Sequence, residues 1–288
     1  MHDRPVIALV DIGGTKLAAA VAVAGELKNV RRVPTQRDDP VGALTQLIDA
    51  VLEAAEPEAI GISVPGPFDR DAGALLDPPG MPPAWHGLRL RDELSHRYGC
   101  PVAVENDANC AGLAEARLGA GRGARTVVYF TVSTGIGTGI VRDGVIWTGR
   151  QDTEGGHQVL WPEWTGGPPC HCGGAGCLET LASGLAIERR FGIRGEHLDD
   201  QAAWDDVGRW LGLGTVNAVA LFDPDVVVFG GGVCASWDRF APSLLSTVAF
   251  HLRLQTAPPI TRGSLGEERS LIGALALVMP AAGGDGIP

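Results

Sequence analysis

The 288-residue sequence has no excess of positive charge, no long apolar run and no low-complexity tract. Each absence removes a class of function. Lys and Arg number 23 against 34 Asp and Glu, for a formal net charge of -11. A phosphate-backbone partner needs a basic patch that releases counterions, so neither nucleic acid nor an anionic membrane is expected as a partner. No apolar stretch is both long enough and poor enough in glycine to span a bilayer. The opening residues, MHDRPVIALVDIGG, lack a basic region followed by an apolar core and a small-residue cleavage site, so a cytoplasmic location is expected. Also missing are G-x-x-x-x-G-K-[ST] and a strand-to-helix G-x-G-x-x-G, which removes the P-loop and dinucleotide folds. A hydrophobic fraction of 45% with a charged fraction of 20% predicts a globular chain with one large core or two modest ones.

Cysteine is unevenly used. Cys100, Cys110 and Cys234 stand singly in apolar or glycine-rich surroundings, as buried thiols of a reducing compartment do. Cys170, Cys172 and Cys177 cluster in CHCGGAGCLETLASG, residues 170–184. As a disulfide set C-x-C-x4-C leaves one thiol over, and its first two cysteines are too close for a relaxed bridge. The better reading is a metal. Zinc takes four tetrahedral N/S ligands, and Gly173, Gly174 and Gly176 let a short loop wrap an ion. The fourth ligand is either His157, in EGGHQVL upstream, or His171 inside the loop; three free thiols are the reading without a metal.

Along the chain, VIALVDIGGTKLAAAVAVAG reads as a strand, a glycine turn and a returning strand. TVVYFTVSTGIGTGIVRDG, residues 126–144, repeats that pattern, which suggests a duplicated architecture. Each turn offers backbone N–H groups with little side chain in the way, as an anion cradle requires. DPVGALTQLIDAVLEAAEP reads as a helix with Asp39 as N-cap, Pro40 in the first turn and Val41, Leu44, Ile48, Val51 and Leu52 on one face, closing before Pro57. AIGISVPGPFD is a strand ending in a rigid turn, and LRLRDELSHRYGC a helix. PVAVENDANCAGLAEARLG is a strand running into a helix, with Asn106 and Asp107 at the junction, where a carboxylate is commonly an N-cap. A helix from Trp204 to Phe222, a buried strand in DVVVFGGGV, a last apolar helix in SLIGALALVM and a loose GGDGIP tail complete the reading.

Together these segments resemble the ROK family, the repressor, open-reading-frame and kinase group, over nearly the whole chain. DIGGTK is similar to the family's first phosphate motif, STGIGTG to its second, VVFGGG to its adenosine motif and VENDAN to its sugar and catalytic segment. EGGH with CHCGGAGCLE resembles the signature of its zinc-bearing members. The resemblance implies an α/β, two-domain actin-like or hexokinase-like ATPase fold of duplicated ribonuclease H-like domains with a cleft between them. Residues 1–108 would form a smaller N-terminal domain on which a helix at about 270–280 packs back. Residues 109–269 would form a larger domain with the zinc loop and an oligomer interface.

The resemblance also assigns roles. Asp107 would be the catalytic base. Asn106, Glu154, His157 and Glu179 would bind sugar hydroxyls, and Gly66 would offer a backbone contact. Asp11 would hold magnesium through water; Gly13, Gly14, Thr15, Thr134, Gly135, Gly231 and Gly232 would line the ATP site; and His157 would join Cys170, Cys172 and Cys177 on zinc. On the residues alone, Glu154 reads equally as a solvated loop charge, Glu179 as a first-turn carboxylate favoured by the helix dipole and Lys16 as a surface residue. The chain departs from the family pattern in three places. GRQDTEGGH replaces the more usual Ala-Gly-Glu-φ-Gly-His, Ser133 and Thr138 stand where glycine is common, and the stretch from His157 to Cys170 is slightly long.

Three activities compete on this reading. The first is an ATP-dependent hexose kinase, with glucose favoured because PPAWHGLRLRDEL resembles the tryptophan-containing segment of glucokinase-type members. The second is a kinase for N-acetylmannosamine, N-acetylglucosamine or another hexose, and for either enzyme the sequence leaves ATP and polyphosphate both open as the donor. The third, a sugar-sensing repressor, needs a DNA-binding domain, for which the few residues before the first strand leave no room. A homodimer or homotetramer is the assembly that the resemblance implies.

Overall fold

The structure is a computed structural model and describes residues 5–279, so the expected GGDGIP tail lies outside the described residues. The chain divides into two units: residues up to Ala114 together with those from Leu265 onward, and Glu115–Ser264.

The first unit begins with β1 (Val6–Ile12), β2 (Lys16–Val23) and β3 (Glu26–Pro34), followed by α1 (Pro40–Leu52) and β4 (Ala59–Val64). A small hairpin of β5 (Phe68–Asp69) and β6 (Ala74–Leu75), then α2 (Leu90–Tyr98), β7 (Val102–Asn106) and α3 (Asp107–Leu118), come next. The sheet order is β3-β2-β1-β4-β7, with β1, β2 and β3 antiparallel and β4 and β7 parallel to β1. Near-continuous apolar strands are what a sheet covered on both faces requires. Ala8, Val10 and Ile12 point to the side of α1, where Leu44, Leu47, Ile48 and Val51 are buried with them. Leu9 and the alternate alanines of β2 point the other way. Asp39 caps α1 as expected, its carboxylate accepting the Gly42 amide at 2.9 Å.

The second unit repeats the plan with β8 (Thr126–Val132), β9 (Ile136–Arg142) and β10 (Val145–Ile146). Then come α4 (Leu178–Ala182), α5 (Gly184–Phe191), α6 (Gln201–Phe222), β11 (Val226–Gly230), α7 (Trp237–His251) and β12 (Ile260–Arg262). Its order, β10-β9-β8-β11-β12, has the same pattern of antiparallel and parallel pairs as the first sheet. Its core is aromatic. Phe130 stacks on Phe229 with ring centroids 5.1 Å apart, and buried Trp204 stacks on Phe240.

The final helix, α8 (Arg269–Val278), belongs to the first unit. Leu271, Ala274 and Leu275 cover the face of the sheet that carries Leu9, Ala18 and Ala20. The approach is so close at β4 that a Cβ on Gly61 would lie 2.1 Å from the Ala274 carbonyl oxygen, so only glycine fits there. Among the described residues, no helix is long and apolar enough to cross a membrane.

Candidate active site and metal centre

In the first unit, the turn between β1 and β2 is tied down from outside. Thr35 donates its hydroxyl to the Gly13 carbonyl at 2.6 Å, and its amide donates to the Thr15 carbonyl at 3.1 Å. Gly14 and Thr15 are exposed at the turn, so their backbone is open to a ligand. Asp11 lies at the end of β1, paired in register with Ser63 of β4, whose hydroxyl donates to its carboxylate at 2.9 Å. Burial raises the Asp11 carboxyl above the ordinary carboxylate value, although Ser63, Lys16 and Arg269 oppose the rise. An anion kept in such a place at a cost is a natural partner for a cation.

Gly66, just beyond β4, abuts the β7–α3 junction, where a Cβ on Gly66 would lie 3.2 Å from Asn106 Nδ2. The cap of α3 is Asn106. Its Oδ1 accepts the amides of Ala108 and Asn109 at 2.9 and 3.3 Å. Asp107 is exposed in the first helical turn, one of its oxygens accepting the Ala108 amide at 2.7 Å.

Behind this pair is a residue that the sequence reading did not single out. Glu105 is buried and accepts Arg70 Nε at 3.1 Å and Nη2 at 2.6 Å, the Asn106 amide at 2.8 Å and Asn109 Nδ2 at 3.0 Å. A glutamate at the inner end of an apolar strand signals a buried partner. That partner lies 35 positions upstream in a loop and cannot be picked out by pattern.

In the second unit the β8–β9 turn is equally constrained. Ser133 donates its amide to the Gly135 carbonyl at 2.8 Å, and the amides of Gly184 and Leu185, at the start of α5, donate to Ser133 and Thr134 at 2.7 and 3.2 Å. Glu179, in the first turn of α4, accepts the Ile136 amide on Oε2 at 2.9 Å and meets His171 Nε2 with Oε1 at 2.8 Å. Gly231 and Gly232 leave the end of β11, the first buried and the second exposed.

His157, Cys170, Cys172 and Cys177 bring one donor atom each to within 4.8 Å of one another. Tetrahedral zinc, with Zn–S near 2.3 Å and Zn–N near 2.05 Å, sets S···S edges of about 3.8 Å and S···N edges of about 3.6 Å. The observed Cys172–Cys177 Sγ separation is 3.7 Å and that of Cys170 Sγ from His157 Nδ1 is 3.5 Å, so the donor set fits that ion. Of the two histidines, His157 stands with the thiols, and His171 also turns toward Glu179. Cys100, Cys110 and Cys234 are buried free thiols.

Glu154 and His157 lie on a short segment of the second unit that borders a cavity of about 570 Å³, faced on its apolar side by Val128, Phe130, Ile140 and Phe222. Protein packed around the Glu154 carboxyl raises its pKa, Asp152 and Glu179 raise it further, and His157 opposes the rise.

The Arg70–Glu105 pair generates a stability prediction. Arg70→Ala leaves a buried carboxylate with hydrogen bonds but without its counter-charge and is expected to cost up to about 3–5 kcal/mol. Arg70→Ala combined with Glu105→Gln, which removes the charge, is expected to recover much of that loss. Denaturant unfolding of both variants measures it, and equal stability of the two would contradict the ion-pair account.

Three comparisons bear on this geometry. The profile of the ROK family matches residues 7–281. A glucokinase of Thermotoga maritima is 32% identical over 96% of this chain and 98% of its own length. Among solved structures, the ROK hexokinase of Thermus thermophilus superposes with a TM-score of 0.85 at 36% identity, covering 94% of this chain and 97% of that one. A ROK family glucokinase from Streptomyces griseus, in complex with glucose and AMPPNP, superposes with a TM-score of 0.79 at 30% identity, covering 93% and 97%. The chain therefore has the two-domain actin-like, hexokinase-like ATPase fold and belongs to the ROK family.

Proposed function

We propose that this protein transfers the terminal phosphoryl group of ATP to a hexose, and that glucose is its preferred acceptor. The observation that carries the reading is the β7–α3 junction. There an exposed carboxylate, Asp107, stands beside a capping amide, Asn106, on a turn made rigid by the Arg70–Glu105 pair. Likeness over almost the full length to a glucokinase, and to a structure solved with glucose and an ATP analogue, supports the choice of substrates.

Asp107 takes the proton of the attacking hydroxyl, so that the acceptor oxygen meets the phosphoryl group as a better nucleophile. Asn106, Glu154, Glu179 and the Gly66 backbone hydrogen-bond sugar hydroxyls and fix which hydroxyl is presented. Both Glu179 oxygens already accept one hydrogen bond from protein, and each keeps a lone pair for substrate. The amides of Gly13, Gly14, Thr15, Thr134 and Gly135 cradle the phosphates, and Gly231 and Gly232 lie against the adenosine. Asp11 is the residue that would hold magnesium, through water; when bound, the ion neutralises phosphate charge.

Zinc in this scheme is structural, because three thiolates and an imidazole leave no open coordination position. Held there through Nδ1, His157 has Nε2 left to hydrogen-bond the sugar in a fixed orientation. A cytoplasmic location accords with the free thiols, and a homodimer is the assembly we infer from the family.

Three measurements test the proposal. In a coupled assay over a panel of hexoses, with ATP and polyphosphate as donors, kcat/KM for glucose with ATP is expected to exceed that for N-acetylglucosamine and N-acetylmannosamine. A site built for a 2-hydroxyl leaves polar groups unpaired against an acetamido group, and equal or better turnover of an N-acetyl sugar would transfer the assignment to that sugar.

Asp107→Asn keeps size but cannot accept the hydroxyl proton. Its kcat is expected to fall by roughly 10²–10⁴ while sugar still binds; near-normal kcat would leave Asp107 a mere first-turn residue.

Purified protein is expected to contain about one zinc per chain, and Cys172→Ser to lose most of it. Loss of the ion is expected to raise KM for sugar more than KM for ATP. A metal content near zero in fresh protein would remove the centre.

A further inference from the structure

Thr138 is an anomaly in its strand. Along β9 the side chains of Ile136, Thr138 and Ile140 share one face and all are buried, and Thr138 pairs across to buried Phe130. A hydroxyl in such a row is costly unless it is hydrogen-bonded. Its bonds all go to one place. Thr138 Oγ1 donates to the Thr153 carbonyl at 3.0 Å and accepts the Gly155 amide at 2.9 Å, so it holds the peptide groups on either side of Glu154. Thr153 answers by donating its own hydroxyl to the Thr138 carbonyl at 3.2 Å.

The contact is steric as well. A Cβ on Gly155 would lie 2.6 Å from Thr138 Cγ2 and 2.8 Å from Oγ1. Neither atom can move away, because the hydroxyl is bonded on two sides and the side chain is branched at Cβ. Gly155 is therefore the residue that Thr138 requires. Thr138 and Gly155, 17 positions apart in the chain, thus meet in direct contact.

Beyond Thr138, the segment is held from its C-terminal side, where the Glu154 carbonyl accepts the His157 amide at 2.8 Å and the Gly155 carbonyl accepts Gln158 Nε2 at 2.9 Å. Thr153, Glu154, Gly155 and His157 border the 570 Å³ cavity, so no apolar packing supports them on that side.

We propose that Thr138 is a positioning residue for Glu154: its hydroxyl, with Gly155 as the complement that admits it, fixes the backbone from which Glu154 meets the sugar. The inference rests on the reading of Glu154 as a sugar contact and adds a residue that touches neither substrate.

Steady-state kinetics with glucose, and with any other hexose that the panel shows to be phosphorylated, test it. Thr138→Val keeps the shape and removes the hydroxyl; KM for sugar is expected to rise about tenfold, with KM for ATP unchanged, as for the loss of a buried hydrogen bond. Thr138→Ser, which keeps the hydroxyl, is expected to restore most of the affinity. Gly155→Ala approaches the same contact from the other side and is expected to raise sugar KM. The pair Thr138→Gly with Gly155→Ala is expected to be no worse than Thr138→Gly alone, because the clash has gone. Thermal unfolding of each variant separates loss of fold from loss of aim.

Glu154→Ala is the control for the underlying reading. If it leaves sugar KM unchanged, Glu154 is not a sugar contact and the proposal falls with that reading. If it raises sugar KM while Thr138→Val and Gly155→Ala do not, the positioning role alone is overturned. A Thr138→Ser variant as impaired as Thr138→Val would likewise overturn it, since packing rather than the hydroxyl would then be what matters.

Discussion

Glu179 accepts the Ile136 amide on one oxygen and faces the His171 ring with the other. One anion thereby ties together the first turn of α4, the β8–β9 turn and the cysteine loop, three segments that share no strand pairing. Two residues before it, Cys177 is buried, so the same few positions serve the cysteine cluster and the turn. A side chain held at both oxygens loses rotamer freedom before any ligand arrives, and that cost is then met by folding rather than by binding. In the proposed reaction this makes the sugar contacts of the second unit a property of the scaffold. His157, beside the thiols, and Glu154, on a segment bonded to Thr138 of β9, follow the same logic.

Glu105 does for the first unit what Glu179 does for the second. It is buried and bonded on every side, to Arg70, to a backbone amide and to the Asn109 amide group, and it has no exposed edge to offer a substrate. Its neighbour Asp107 is exposed. Two carboxylates two positions apart thus have opposite environments, one buried and holding the turn, the other exposed in the first turn of α3. A buried charge is tolerable only with its partners in place, which makes the turn all-or-none rather than gradually deformable.

Much of this was legible in the sequence because it is written in short-range chemistry. The glycine turns between apolar strands, Asp39 and Pro40 at the start of α1, and the spacing of Cys170, Cys172 and Cys177 each have a local cause. What escaped the reading was long-range or weakly patterned. β3 is an edge strand carrying Lys28, Arg31 and Arg32, without the alternation that marks a half-buried strand, and β12 has only three residues. The residues alone left His157 and His171 equal as the fourth ligand, since only the path of the chain decides which ring meets the thiols. Arg70 and Thr138 were not singled out for such roles because each acts on residues far from it in sequence. The cap at the β7–α3 junction is Asn106 and not the aspartate beside it, a difference of one position that pattern cannot resolve.

The close approach of α8 to Gly61 has a consequence for the order in which the protein is made. The second unit is one uninterrupted stretch of chain, whereas the first is completed only by residues from Leu265 onward. As the chain leaves the ribosome, Leu9, Ala18 and Ala20 await a cover that has not yet been synthesised. The second unit has all its parts first and can fold as a unit while the rest emerges. The first sheet, though translated earliest, can bury its second apolar face only after α8 has been synthesised.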